Sequence, residues 1–235
     1  MSKKSPDDVM LVEHILEVRH QASGKFLDIR GNVADYIRNL ELFQHWSIDS
    51  NVVNFRDTQS KIDTDGAFAS YKAAGYIVYN PGTKNYFTDK ASAYWKALVK
   101  NGHYTLPDLV RFGVRTKVFI PSQKPFEEIK TILFDKFFAP GAKDLLGGKV
   151  EDVQFVFVLK ENEFDVKVYG GPIHENEVAK YMSFDADQFK NRGVYIDIDY
   201  SKLTDIDNKS IPNLLKESIE LTWKKIDNIT KEIGI

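Results

Sequence analysis

Cysteine is absent from the 235-residue sequence, and this absence excludes several classes of protein. Without thiols there is no disulfide framework, thiolate zinc site, cysteine-ligated iron–sulfur cluster or cysteine nucleophile. An excess of one charge is also lacking, because 32 Lys and Arg residues are balanced by 34 Asp and Glu residues. This balance argues against a protein that binds nucleic acid over most of its surface, although it still allows a local basic patch.

Long apolar runs are missing as well. No stretch approaches the ~20 apolar residues of a membrane span, and the polar residues 1–10 lead into no segment of signal-peptide type. We therefore expect a cytoplasmic protein with no membrane contact and a polar N-terminal tail. Hydrophobic residues make up 43% of the chain, which is enough to bury a core.

Motifs for cofactors and metals are equally scarce. No glycine pattern matches a dinucleotide fingerprint or a P-loop, no Gly-x-Ser-x-Gly elbow occurs, and the histidines form no metal-binding pair. Asp165-Val-Lys167 fits the acidic-x-Lys pattern of metal-dependent nucleases, but the same pattern recurs at 128–130 and 207–209 and is therefore weakly specific. We expect no cofactor and no metal site, and we assign no catalytic residue.

Hydrophobic periodicity is what the sequence does contain, and it switches between the strand period and the helix period. In the first half it predicts a strand at 14–20, a helix at 26–43, strands near 46–48, 53–55 and 68–79 with a turn at 63–66, and a helix capped by Thr88 that stops at Gly102. In the second half it predicts a strand at 110–120, a helix from Pro125, strands at 153–159, 164–169, 181–184 and 194–200, a turn at 170–172 and a helix capped by Ser210.

Both halves therefore have the predicted order β-α-β4-α. The tail at 1–10 is followed by an α+β half at 11–105 and another at 106–235, which we expect to form one curved antiparallel sheet with the helices on one face. This arrangement resembles the duplicated architecture of the TATA-binding protein at the level of the fold. Fold likeness implies no function.

Charged residues are predicted to share the sheet face that is turned away from the helices. Strand parity places His14 and His20 with the apolar side, where a structural role is expected, and the charged residues opposite. The candidate residues are Glu17, Arg19, Arg111, Arg115, Lys117, Asp197 and Asp199, with Asp165 and Lys167 on a further strand. Two interpretations stay open: a self-neutralising ladder of ion pairs, or a polar site in which the arginines hold phosphate or carboxylate.

Four short motifs carry a family resemblance. They are Glu17-Val-Arg19, Arg111-Phe-Gly-Val-Arg115, Asp197-Ile-Asp199 and Trp223 in the last helix. In this order they resemble a sporadically distributed family of prokaryotic proteins that has no assigned activity. The resemblance implies that the arginine and aspartate strands are characteristic, and it associates the chain with accessory genes of mobile or defence islands.

Three functional hypotheses follow. The first is a non-enzymatic binding or assembly protein, a subunit of a larger complex, whose partner is another protein or a second copy of the chain. The second is an accessory factor of a nucleic-acid-processing defence system that contacts phosphates through Arg111 and Arg115. The third is a phosphoryl-transfer enzyme in which Asp197 and Asp199 hold Mg²⁺.

Overall fold

The protein is described by a computed structural model that covers residues 10–57, 65–183, 186 and 189–235. The strands of this part are β1 (Leu11–His20), β2 (His45–Ile48), β3 (Val52–Arg56), β4 (Asp65–Ser70), β5 (Ala73–Tyr79), β6 (Leu109–Pro121), β7 (Phe155–Glu161), β8 (Phe164–Ile173) and β9 (Gly193–Lys202). The α-helices are α1 (Gly24–Asn39), α2 (Tyr86–Lys100), α3 (Phe126–Phe137), α4 (Ala142–Leu146) and α5 (Ile211–Ile233).

All nine described strands belong to one antiparallel sheet with the order β2-β3-β4-β5-β1-β6-β9-β8-β7. The α+β class and the single sheet predicted from the sequence are thus confirmed. The centre of the sheet is the pair β1–β6, which joins the two halves of the chain from Leu11 opposite Phe119 to His20 opposite Leu109. Within the described ranges, no helix is long and apolar enough to cross a membrane.

One face of the sheet is covered by helices. The alternating residues Phe112, Val114, Thr116 and Val118 of β6 are fully buried. The three apolar ones belong to one large cluster with apolar residues of α1, α2, α3 and α5. The period of two in the sequence predicted this alternation correctly, because one apolar side of each central strand has to be removed from water. We call the opposite side of the sheet the open face.

A short segment covers one end of the open face. After β8 the chain forms a 3₁₀ turn at Val178–Lys180, and Val178 and Met182 pack against Leu11, Phe119 and other residues of a second, smaller apolar cluster. The predicted strand at 181–184 is wrong for Tyr181 to Ser183, which are not in a strand, while Phe184 lies outside the described residues. We call residues 178–183 the cover segment. Its closely spaced apolar side chains follow a pattern that is also typical of a strand, and this explains the wrong prediction.

The predicted turn at Gly170-Gly-Pro172 is also wrong, since these residues lie inside β8. A Cβ on Gly170 would lie 2.4 Å from Cζ of Phe155 and 2.7 Å from the carbonyl oxygen of Tyr195. The glycine is therefore needed for the close approach of the neighbouring strands and not for a turn.

Several helix boundaries differ from their predictions. α1 ends at Asn39 rather than near residue 43, and α2 begins at Tyr86, so Thr88 lies in its first turn with its hydroxyl donating to the carbonyl of Asn85. Ser210 does precede α5, but its hydroxyl donates to the carbonyl of Asp207 and not to the helix. Of the predicted turn at 63–66, residues 63 and 64 lie outside the described residues, and Asp65 and Gly66 begin β4.

The chain order matches β-α-β4-α in the first half only. The second half has three described strands after its first helix and an additional short helix, α4. The predicted exact repeat is thus not reproduced, and the second half instead places the cover segment between β8 and β9.

Candidate functional site

Charged side chains of the central strands meet on the open face. The register places Glu17 opposite Gly113, Arg115 opposite Asp199 and Lys117 opposite Asp197. Because directly paired residues of antiparallel strands point to the same face, all the candidate residues lie on one side of the sheet. We call the set Glu17, Arg19, Arg111, Arg115, Asp197 and Asp199 the charged strip.

Arg115 and Asp197 form the tightest pair of the charged strip. Nε of Arg115 donates to Oδ1 of Asp197 at 2.9 Å and Nη2 donates to Oδ2 at 2.5 Å, so the contact is bidentate. The hydroxyl of Tyr195 also donates to Oδ2 of Asp197, at 3.2 Å. This carboxylate raises the pKa of Arg115, and both of its oxygens are already used.

Arg111 bridges two carboxylates at longer range. Its guanidinium lies 3.5 Å from Glu17 and 3.5 Å from Asp199, and Glu17 also accepts a 2.6 Å hydrogen bond from Nε of Arg19. The guanidinium lies over Gly113, where an added Cβ would be 2.3 Å from Nη1 of Arg111. The glycine between the two arginines therefore makes room for the guanidinium of Arg111.

Lys117 is buried beneath the cover segment and is therefore not counted in the charged strip. Its ammonium is 2.9 Å from Oε1 of the fully buried Glu13 and donates to Oγ of Ser183 at 2.8 Å. Glu13 accepts hydrogen bonds from both the backbone N–H and the hydroxyl of Ser183. This buried ion pair attaches the cover segment to β1 and β6, because an unpaired charge at that depth would be costly.

A cleft of about 570 Å³ opens between the charged strip, β8 and the cover segment. Its cationic lining residues are Arg115, Lys117, Lys167 and Lys180, and its carboxylates are Asp197 and Asp199. Burial raises the pKa of Asp199, and nearby Arg111 opposes this effect. The volume is in the range of small-molecule sites, which is about 300–1,000 Å³, although the walls are more polar than is usual.

Three tyrosines form the aromatic wall of this cleft. The ring centroids of Tyr181 and Tyr195 are 4.8 Å apart, and those of Tyr169 and Tyr195 are 6.0 Å apart. Burial raises the pKa of all three phenols, so they remain hydrogen-bond donors at neutral pH.

Sequence reasoning missed the tyrosines, Lys180 and the Glu13–Ser183 contact. Tyr195 and Tyr169 share strand parity with Asp197 and Lys167, so extending the parity argument along β9 and β8 would have found them. Lys180 and Ser183 carried no such signal, because they come from irregular chain that reaches the face only through tertiary packing.

Both interpretations of the charged face stay predictions. Arg111 and Arg115 are engaged by carboxylates, as in a self-neutralising ladder, whereas the cleft beside them is a recess of ligand size. Among the described residues, no group of three or more His, Asp or Glu side chains could hold a metal ion.

The sequence was compared with protein families and with curated proteins. No protein-family model matches the sequence, and no curated protein is significantly similar to it. The family resemblance of the arginine and aspartate strands therefore rests on those short motifs alone.

Proposed function

We propose that the protein is a non-enzymatic binding subunit of a larger cytoplasmic assembly and that its open face contacts a partner protein. The observation that carries the proposal is the exposed apolar surface beside the charged strip. Val158 is 78% exposed and Val156 is 53% exposed, both on edge strand β7, and Val158 lies directly opposite Lys167. Exposed apolar side chains rimmed by charges are typical of protein interfaces.

The charged strip supports the same proposal because its side chains are held in place by one another. Arg115 is fixed by its bidentate contact with Asp197, and Arg111 is shared by Glu17 and Asp199. A partner would therefore meet an ordered pattern of both signs, which favours specificity and correct orientation more than affinity.

The other two hypotheses have less support from these contacts. A nucleic-acid phosphate held by these two arginines would have to compete with Asp197 for Arg115 and with Glu17 and Asp199 for Arg111. A Mg²⁺ ion at Asp197 would have to displace a bidentate arginine before it could bind.

We further propose that the two halves are variants of one ancestral unit. The first strands of the halves, β1 and β6, pair at the centre of the sheet, and each is followed by a helix on the same face. On this view the second half replaced one strand by the cover segment.

Co-purification from the native host tests the proposed function. Tagged full-length protein would be compared with Val158→Gln and with the control Leu145→Gln, which changes an equally apolar side chain that is 90% exposed in α4. We expect a stoichiometric partner, or a second copy, whose recovery falls at least about tenfold in Val158→Gln, because burial of one valine contributes about 1.5–3 kcal/mol. Recovery with Leu145→Gln should equal that of the wild type.

Two outcomes would overturn the proposal. One is a wild-type protein that elutes as a lone monomer and enriches nothing over an untagged strain. The other is a partner that is retained equally by both variants, which would place the interface elsewhere.

A further inference from the structure

The cleft between the charged strip, β8 and the cover segment has more hydrogen-bond donors than its own acceptors can use. Several lining groups are already satisfied: two nitrogens of Arg115 and the hydroxyl of Tyr195 donate to Asp197, Lys117 pairs with Glu13, and Lys180 pairs with Glu177. The other polar groups that line the cleft are those for which these pairs supply no partner.

The remaining groups are mostly donors, and the one carboxylate oxygen among those described is Oδ1 of Asp199. In the described part of the chain, the ammonium of Lys167, the hydroxyls of Tyr169 and Tyr181 and Nη1 of Arg115 have no hydrogen-bond or ion-pair partner. All four groups belong to residues that line the cleft. Unused acceptors are scarce there, because both oxygens of Asp197 are engaged and Asp199 is shared with Arg111.

One of the cationic side chains of the cleft agrees with this imbalance. Four cationic side chains and two carboxylates line the cleft, although the whole chain has a formal net charge of −2. Lys117 and Lys180 are neutralised by Glu13 and Glu177, and Arg115 is neutralised by Asp197. Lys167 is thus the lining cation that has no ion-pair partner among the described residues, and its ammonium and the neighbouring phenol groups suit an anion with several oxygens.

The size of the cleft and its aromatic wall indicate more than an inorganic ion. A volume of about 570 Å³ exceeds what a phosphate ion fills, and the rings of Tyr181 and Tyr195 offer a flat surface to a sugar or a base. The largely polar lining suits a hydroxylated ligand better than an apolar one.

We propose that this cleft binds the phosphate group of a small phosphorylated metabolite, a sugar phosphate or a nucleotide, through Lys167, Tyr169 and Tyr181. The inference rests on the proposed binding function and specifies a ligand for the open face beside the partner surface. The ligand would bridge β8 and the cover segment, because Lys167 and Tyr169 come from the former and Tyr181 from the latter.

Calorimetric titration of the full-length protein tests the proposal. The probes are AMP, glucose 6-phosphate and inorganic phosphate, with adenosine and glucose as unphosphorylated counterparts. We expect AMP or glucose 6-phosphate to bind, its unphosphorylated counterpart to fail, and inorganic phosphate to bind more weakly. The relative affinities of AMP and glucose 6-phosphate identify the remainder of the ligand.

Matched variants locate the binding. Lys167→Gln should weaken binding at least about tenfold, as expected for the loss of one charge-assisted hydrogen bond. Tyr181→Phe, which keeps the ring and removes the hydroxyl, should weaken it severalfold. Lys216→Gln, which removes a 72% exposed lysine from α5 on the other side of the molecule, should change nothing.

The proposal fails if none of the phosphorylated probes binds at millimolar concentration or if Lys167→Gln binds them as the wild type does. It also fails if a single-stranded oligonucleotide binds far more tightly than AMP with a steep salt dependence, since the ligand would then be a nucleic acid. The two proposals can fail independently of each other. Val158→Gln tests the partner surface and leaves every lining residue of the cleft intact, so a loss of partner binding and a loss of ligand binding can be distinguished.

Discussion

Glu13 and His14 are adjacent buried polar residues of β1 that point to opposite faces of the sheet. Glu13 lies on the open face, where it forms an ion pair with Lys117 and accepts two hydrogen bonds from Ser183. His14, on the helix side, stacks on Phe87 at 4.8 Å, and its Nδ1 lies 2.8 Å from the hydroxyl of Thr116. Burial lowers the pKa of His14 from 6.5 to about 3, so the ring is neutral in the folded protein.

His14 should therefore make the stability of the fold depend on acidity. Below pH 6.5 the unfolded chain binds a proton at His14, whereas the folded chain does so only near pH 3. The unfolded state holds more protons in this window, so the free energy of unfolding falls on acidification by up to about 1.4 kcal/mol per pH unit from this group.

Urea unfolding at pH 6.5 and pH 4.5 measures the effect in wild type, His14→Gln and His103→Gln. We expect the loss of stability on acidification to be smaller in His14→Gln than in the wild type, and His103→Gln, which alters an exposed histidine, to match the wild type. Equal losses in the wild type and His14→Gln would show that the ring is protonated inside the fold.

At the scale of the element, β8 contains a glycine pair followed by proline, a pattern that predicts a turn. Such dipeptides are common in turns, and a prediction made from the sequence alone has to rely on this preference because it contains no tertiary contacts. Here the contacts prevail: the ring of Phe155 and the carbonyl of Tyr195 occupy the space where a side chain of Gly170 would lie. The period of β1, β6 and β9, in contrast, was predictable because every second residue is apolar.

A Gly170→Ala substitution should destabilise the protein by about 1–3 kcal/mol, since the methyl group has to displace an aromatic ring or a strand backbone. Gly31→Ala is the control, because Gly31 lies in α1 with nothing within 4 Å of the added Cβ. It should stabilise the protein by about 0.5–1 kcal/mol through higher helix propensity. Denaturant midpoints measure both effects. If the Gly170→Ala protein were as stable as the wild type, the close approach of Phe155 and Tyr195 would not require a glycine at this position.

At the scale of the whole molecule, the two predicted halves share one core. The large apolar cluster includes residues of α1 and α2 as well as α3 and α5, and the indole N–H of Trp95 donates to the carbonyl of Asn208 across the halves. The central β1–β6 pair extends over the whole of β1. Each half therefore contributes strands and helices to the same apolar cluster.

We therefore expect one cooperative thermal transition, with a ratio of calorimetric to van't Hoff enthalpy near one. Fragments 11–105 and 106–235 should show little fixed tertiary structure by near-ultraviolet circular dichroism when expressed separately. Two resolved transitions, or a fragment with a native-like spectrum, would show that the halves are independent domains.

The sequence by itself determined the α+β class, the order of most elements and the sharing of one face by the charged residues. These features follow from local periodicity, because a strand or helix must bury one side wherever it lies. Only the tertiary structure decided that Arg115 pairs with Asp197, that Gly170 lies within a strand, and that residues 178–183 cover the open face and complete the cleft. Those features depend on which distant residues meet, and the pattern of a single segment contains no information about its neighbours.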